Sequence, residues 1–596
     1  MLCLLCGVHS CLGRKSLITA QIWVVYQSCG RLLVCHLCFS RIIFILPFHR
    51  YGREKCRSNA ETMQVPSPSI AFGSMHSRWA KARLEIQLNF DIVRLVLILK
   101  PAFRRKWKLK QNMVAKAQAR FDGNLTTGPI FKTLLLFSLP TLGSSVLQSL
   151  NGSINAVWIG RILGEAALAA TANANLVMFL MLGTVFGFGM AATILVGQAM
   201  GRGDIDGARR VVGASAFWFF FLSIIIAVLG WIFTPELLHL LDTPAASVPL
   251  AISYLRIIFL AIPIMFFLNF LMMAQRGAGD ATTPLIFMGL SAFIDIILNP
   301  VLIMGLGPAP EMGIAGAATA TFVAQAIALF GMLLYIYAKD LPIRLRGVEL
   351  AYIRPARDLS ISIITKGFPM GLQLFVVSGS AVVMIGFVNS YGVSTAAAYG
   401  VTAQLWSYIQ MPAMALGSAT SAMAAQNIGA GKWERVGAIT RSGIIANIVL
   451  TGAMVLLLYV ADHFALSLFL GPESPSIPIA VYINNIVSWG FILFGVMMVV
   501  FGTVRATGSV IPPLIIIFIS LVGVRIGTAV LFEPTYGVEA VWWSYPISSA
   551  VSMALALAYY RFGNWRNATM ISGSAANHEK EAAVPAENAA NASGPT

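Results

Sequence analysis

The sequence predicts an all-α polytopic membrane protein, with twelve transmembrane helices arranged as two parallel-repeat six-helix bundles. Three observations predict it. The 596-residue chain is 57% hydrophobic and only 11% charged, where soluble domains carry roughly 25% charged residues. So small a polar complement cannot cover the surface against water, and lipid must face much of it. Apolar runs of twenty or more residues recur from residue 131 onward. The two halves of the body also align with each other at a nearly constant offset.

The formal charge of +17 lies mostly at one end. Residues 1–112 hold 18 Lys/Arg against 4 Asp/Glu, and the remainder holds 23 against 20. The body therefore lacks a basic stripe, and no nucleic-acid partner is expected. All seven cysteines fall in the first 56 residues. Cys3/Cys6 and Cys35/Cys38 have the spacing of a zinc ribbon, but no further ligand signal accompanies them. Neither a metal nor a cofactor is expected. Composition changes at Met113. Residues 1–112 read as an N-terminal extension, either disordered or a mis-assigned start with Met113 as initiator. The tail, 567–596, is rich in Ala, Asn and Glu and reads as disordered.

The apolar runs lie near 131–155, 172–197, 211–233, 250–273, 285–306, 313–338, 360–385, 394–418, 437–461, 479–502, 511–531 and 539–562. Each is long enough to cross ~30 Å of hydrocarbon. Residues 113–350 would form an N-lobe of spans 1–6, and residues 351–566 a C-lobe of spans 7–12. Even-numbered loops carry the basic residues, among them Arg202, Arg276, Lys339, Arg344, Lys432 and Arg505. Odd-numbered loops carry Glu165, Glu236, Asp242, Glu311, Asp462, Glu473 and Glu533, with Arg161 as the one clear basic exception. This bias predicts a multi-pass protein of the cell inner (plasma) membrane with both termini in the cytoplasm.

The repeat is visible in the loops. Gln198, Gly201 and Gly203 recur 228 residues later as Gln426, Gly429 and Gly431. Arg276, Gly279 and Pro284 recur 229 later as Arg505, Gly508 and Pro513, and Pro140 recurs as Pro369. Six spans is an even number, so the second copy enters from the same side as the first. Two such lobes can rock about a shared cavity.

The Gln-x-x-Gly-x-Gly loops, the Arg-x-x-Gly-x(4)-Pro loop from Arg276 to Pro284, and the first span, "FSLPTLGSSVLQSLNGSINAVWIG", together resemble the multidrug and toxic compound extrusion (MATE) family over roughly residues 120–565. The resemblance implies a V-shaped pair of bundles and a secondary active efflux transporter. Such an antiporter would export amphipathic, cationic small molecules in exchange for H⁺ or Na⁺. Two departures stand out. Asn155 replaces an Asp that one bacterial branch carries in span 1, and Val376 and Val377 stand where another branch has a Glu in span 7.

Other readings remain. A flippase for a lipid-linked saccharide is the first alternative, although only one arginine, Arg525, lies deep in a span. A membrane-embedded enzyme is more remote, since G-x-S-x-G, H-E-x-x-H and P-loop patterns are all missing. The expected partners are a small-molecule substrate, a coupling ion and membrane lipids, with a monomeric chain.

Ionisable groups deep in a span are costly and mark function. Asp295 is the clearest candidate. Asn299 lies four residues on, along the same helical face. The resemblance implies this pair in the opposite order, so the carboxylate is displaced by about 5.4 Å along the axis. Asn155 and Asn269 would complete an ion-coupling cluster. The alternative is a buried Asp acting as interhelical glue. Gln373, Gln404, Met178 and Arg525 are candidates for the substrate cavity. Arg525 alternatively snorkels to the interface or forms an ion pair, and Met178 alternatively packs or faces lipid. Lys366 is expected to snorkel. Pro140 and Pro369 would kink spans 1 and 7, as a gate or as a static bend.

Overall fold

The structure is a computed structural model. It describes residues 125–240, 243–244, 247–354 and 356–571, together with four short strands between residues 23 and 43. The chain divides into two units, Met1–Met113 and Val114–Thr596. In the first, β1 (Trp23–Tyr26) pairs antiparallel with β2 (Arg31–Val34), and β3 (Cys38–Phe39) with β4 (Ile42–Ile43). The rest of the expected extension lies outside the described residues, including Cys3, Cys6, Cys35 and Met113. So does the tail beyond residue 571.

The second unit is helical, and its twelve long helices follow the twelve apolar runs. In the first half they are α1 (Ile130–Leu163), α2 (Glu165–Arg202), α3 (Ile205–Ile232), α4 (Val248–Gly277), α5 (Thr282–Met304) and α6 (Ile314–Ala338). In the second half they are α7 (Arg357–Asn389), α8 (Val393–Gly429), α9 (Trp433–Leu470), α10 (arms Ser476–Val487 and Gly490–Ala506), α11 (Ile511–Tyr536) and α12 (Val538–Phe562). Among the described residues, nine single helices are long and apolar enough to cross a membrane, and the arms of α10 together make a tenth. The helices α2 and α8, of 38 and 37 residues, complete the set.

Helices suit this composition because each satisfies its backbone polar groups within itself, as hydrocarbon demands. Large apolar side chains point outward. Val460 is 80% exposed, Leu531 73% and Leu334 72%, which would be unfavourable in water and suits lipid. Inward faces carry small residues. Ala317, Ala318, Ala320, Ala324 and Ala328 of α6 are all buried, which lets neighbouring backbones approach closely.

Within α1–α6, α1 packs on α5, α2 on α4, and α5 on α6. Within α7–α12, α7 packs on α11, α8 on the second arm of α10, and α11 on α12. The second set repeats the first, six helices further on. The lobes meet through α2 against α7 and α8, and through α1 against α8 and α9. The α2–α7 and α1–α8 contacts exchange under the repeat, so the interface has approximate twofold symmetry. Gly187 of α2 sits so close to α7 that a Cβ there would lie 2.3 Å from Gly367 O.

The loop motifs explain themselves in three dimensions. Gly203 and Gly431 take left-handed conformations, φ +76° and +71°, that turn the chain out of α2 and α8. Gly201 and Gly429 instead permit contact. A Cβ on Gly201 would lie 1.9 Å from Gln426 O, and one on Gly429 would lie 2.0 Å from Gln198 O. Both loops therefore stand at the same end of the molecule, as a parallel repeat requires. There Gln198 Nε2 donates to Ala506 O at 2.7 Å, and Gln426 Nε2 donates to Gly277 O at 3.0 Å. Each amide crosses from its own lobe to the last turn of a helix in the other.

Pro140 and Pro369 lie inside α1 and α7, which continue past them. The arms of α10 meet at a 43° bend at Ser488–Trp489. The expected loop placement of three charged residues is corrected. Asp462 is not in a loop. It is 5% exposed inside α9, whose last two turns are held because Asn484 Nδ2 donates to Asp462 Oδ1 at 2.8 Å. Arg276 and Arg505 belong to the last turns of α4 and α10 rather than to solvated loops. Lys366 donates to Gly508 O, in the loop after α10, at 3.0 Å. The linker between the lobes carries a 3₁₀ turn, Gly347–Ile353, fastened to α3 by the Arg209–Glu349 ion pair and by Tyr352 Oη donating to Asp206 at 2.7 Å.

Candidate functional site

The site is built from α1, α5 and α6. Asp280 starts α5 by accepting from Thr282 N and Thr283 N, both at 2.9 Å. Asp295 then lies thirteen residues into the helix, about 20 Å along it. It is 1% exposed, and Asn299 beside it is fully buried.

Four side chains donate to this one carboxylate. Asn151 Nδ2 and Asn155 Nδ2 reach Oδ2 at 2.7 and 2.8 Å. Asn299 Nδ2 and Thr321 Oγ1 reach Oδ1 at 3.0 and 3.1 Å. Asn299 Nδ2 also lies 3.0 Å from Asn155 Oδ1, tying the donors to one another. An ionised carboxylate only accepts, so this shell fits the charged form. Among the described residues no cation pairs with it.

Two acceptors are left over. Asn151 Oδ1 and Asn299 Oδ1 are buried without a partner. Unmatched buried acceptors call for an explanation. A proton arriving on Asp295 would need an acceptor for its new O–H. A hard cation would instead need several oxygens around it. The spare amide oxygens serve either purpose.

The structure brings Asp295, Asn299 and Asn155 together as anticipated, and adds Asn151 and Thr321. It does not bring Asn269, whose Nδ2 turns back to Met265 O of its own helix at 2.8 Å. The C-lobe has no equivalent acid: an offset of 229 from Asp295 reaches Val524, and the offset of 230 at the end of the matched segments reaches Arg525. Arg525 donates from Nε to Ser548 Oγ at 3.0 Å and lies 4.4 Å from the centre of the Tyr545 ring. It thus points into the lobe and not out to an interface. Gln373 is buried on α7 against Arg505. Gln404 is exposed, with Nε2 donating to Tyr408 Oη at 3.3 Å. Met178 is half-buried on α2.

Two six-helix bundles related by a membrane-normal repeat, with a four-donor carboxylate cluster buried in the first, define a polytopic carrier. The family model MatE matches residues 140–301 and again 369–531. The protein YoeA of Bacillus subtilis, a probable multidrug resistance protein, is 35% identical over 435 residues, which cover 73% of this chain and 94% of YoeA. YpnP of the same organism, likewise a probable multidrug resistance protein, is 32% identical over 444 residues, covering 74% and 97%. Among solved structures, a multidrug resistance MATE transporter of the MOP superfamily in its outward-facing conformation superposes with a TM-score of 0.68 at 20% identity, covering 74% of this chain and 97% of that one. The chain belongs to the MatE family of multidrug efflux transporters.

Proposed function

We propose that the chain is a secondary active antiporter of the plasma membrane. It exports amphipathic small molecules, cationic ones included, in exchange for inward H⁺ or Na⁺ bound at Asp295. The observation that carries this reading is the buried Asp295 carboxylate, with four donors and two spare acceptors in its shell. The two spare amide oxygens offer acceptors for a proton carried by Asp295 or ligands for a cation beside it. Placing an ionisable residue at this depth is costly, and coupling gives that cost a purpose. The basic loops support an orientation with the Gln198/Gln426 end toward the cytoplasm. The crossed amides at that end support a gate that alternates between joined and parted lobes.

The test is export of rhodamine 6G by the purified full chain in liposomes, under H⁺ and Na⁺ gradients imposed separately. One gradient is expected to drive export. Asp295→Asn keeps the shape of the side chain and removes its charge, and should abolish driven export while leaving a monodisperse, folded protein. Wild-type rates in Asp295→Asn would overturn the coupling role.

A further inference from the structure

A cavity between α2, α7, α8 and α10 is lined by Phe186, Met190, Gln373, Met414, Met498 and Arg505, and has a volume of about 60 Å³. Arg505 is 5% exposed. One of its terminal nitrogens donates to Gln373 Oε1. Its Nε is buried without a partner. Among the described residues no carboxylate pairs with it. A guanidinium held among thioethers and an aromatic ring is unfavourable unless an anion matches it.

Gln373 is itself fixed, since its Nε2 donates to Val510 O at 3.3 Å. Its oxygen is thereby turned to Arg505, which orients the guanidinium in the cavity wall. At the repeat-related positions the N-lobe has Arg276, but Ser144 stands in place of Gln373 and gives its hydroxyl to Pro140 O at 3.0 Å. The orienting amide belongs to the C-lobe. A guanidinium offers planar, paired donors that fit a carboxylate or phosphate. The space admits a few waters or one oxyanion head. Flexible Met side chains accommodate apolar bodies of varied shape.

We infer that Arg505 and Gln373 form an anionic-group subsite, which takes the carboxylate or phosphate of an amphipathic substrate whose apolar body lies against α2 and the methionines. The inference rests on the transporter reading above and extends its substrates to acids and zwitterions. Because α2 belongs to the other lobe, movement of the lobes would open and close the subsite.

The test compares fluorescein, a carboxylate, with rhodamine 6G, a cationic ester on the same xanthene skeleton, in liposomes bearing the full chain. In Arg505→Gln the ratio of fluorescein to rhodamine export is expected to fall at least about tenfold, with a partial return in Arg505→Lys. An unchanged ratio overturns the subsite. If Arg505→Gln does not fold, Gln373→Leu is read instead, and the same fall is expected or the subsite is rejected. Should the wild type move neither dye under any gradient, the transporter reading itself fails. Repeating the assay in phosphatidylcholine and in phosphatidylglycerol-rich vesicles separates the sources of the oxyanion. Equal fluorescein export supports a substrate subsite, whereas suppression by phosphatidylglycerol assigns the site to lipid headgroups and overturns it.

Discussion

The side-chain amide of Gln198 donates to the backbone carbonyl of Ala506 at 2.7 Å, joining residues 308 positions apart and in different lobes. Its repeat-related counterpart is Gln426 with Gly277. Each bond contributes about 1 kcal/mol net. Gln198→Ala should therefore raise the population with this end parted by roughly fivefold, and the double variant with Gln426→Ala by roughly 25-fold. Distance distributions between spin labels at Arg202 and Trp433 would show it as a longer-distance population.

Substitution at Gly201 acts on the same end by another route. Its nearest neighbour is the backbone oxygen of Gln426, which cannot swing away as a side chain can. Gly201→Ala should hold the lobes apart at this end and stop export while the protein still inserts. Gly437→Ala in α9, where nothing lies within 4 Å of the added carbon, is the matched control. Cysteine labelling of the loop from the proposed cytoplasmic side would report increased access in the first variant only.

At the Asp295 cluster the donors share one task. Asn151→Ala removes one of four, leaving Asn155, Asn299 and Thr321 in place. Gradient-driven rhodamine 6G export should fall several-fold without being lost, in contrast to its abolition in Asp295→Asn. An equally complete loss in Asn151→Ala would mean that the amide itself binds the ion.

Asp462 offers a comparison with a second buried acid. Asn484 bridges it to Trp406, whose Nε1 donates to Asn484 Oδ1 at 2.9 Å. Asp462→Asn keeps an acceptor and should leave export within twofold of wild type. Asp462→Ala leaves a buried amide unpaired, at a cost of about 1–3 kcal/mol. A thermal unfolding assay in detergent should show a clear fall in Tm for Ala and little for Asn.

The twelve helices were legible because hydrophobic length and loop charge both report on the bilayer, and the two signals agreed. Their ends were less so. Asp462 broke the apolar run and read as a loop, since hydropathy counts an acid without asking whether Asn484 satisfies it. The core of the site was legible in the four-residue spacing of Asp295 and Asn299. The same spacing relates Asn151 to Asn155 in "NGSIN", so the second pair of donors also has a signal in the sequence. Thr321 had none, because a helical Thr ordinarily bonds its own preceding turn, as it also does here to Ala317 O at 3.3 Å. Asn269 failed for the converse reason: sharing a lobe does not set the direction of a side chain. Matching glycines in the loops disclosed the duplication, but which carbonyl each glutamine meets depends on contacts some 150 to 300 residues distant.

The π-helical turn Ile519–Ile526 in α11 has no equivalent in α5. Such a turn accommodates one surplus residue within an otherwise regular helix. The matched segments agree, spanning 140–301 in the first copy and 369–531 in the second, where the offset grows from 229 to 230. The bulge absorbs the surplus residue locally, so the helix runs on beyond it and α11 keeps its packing against α7 and α12. Arg525 lies within the bulge, at the stretch where the second copy departs from the register of the first.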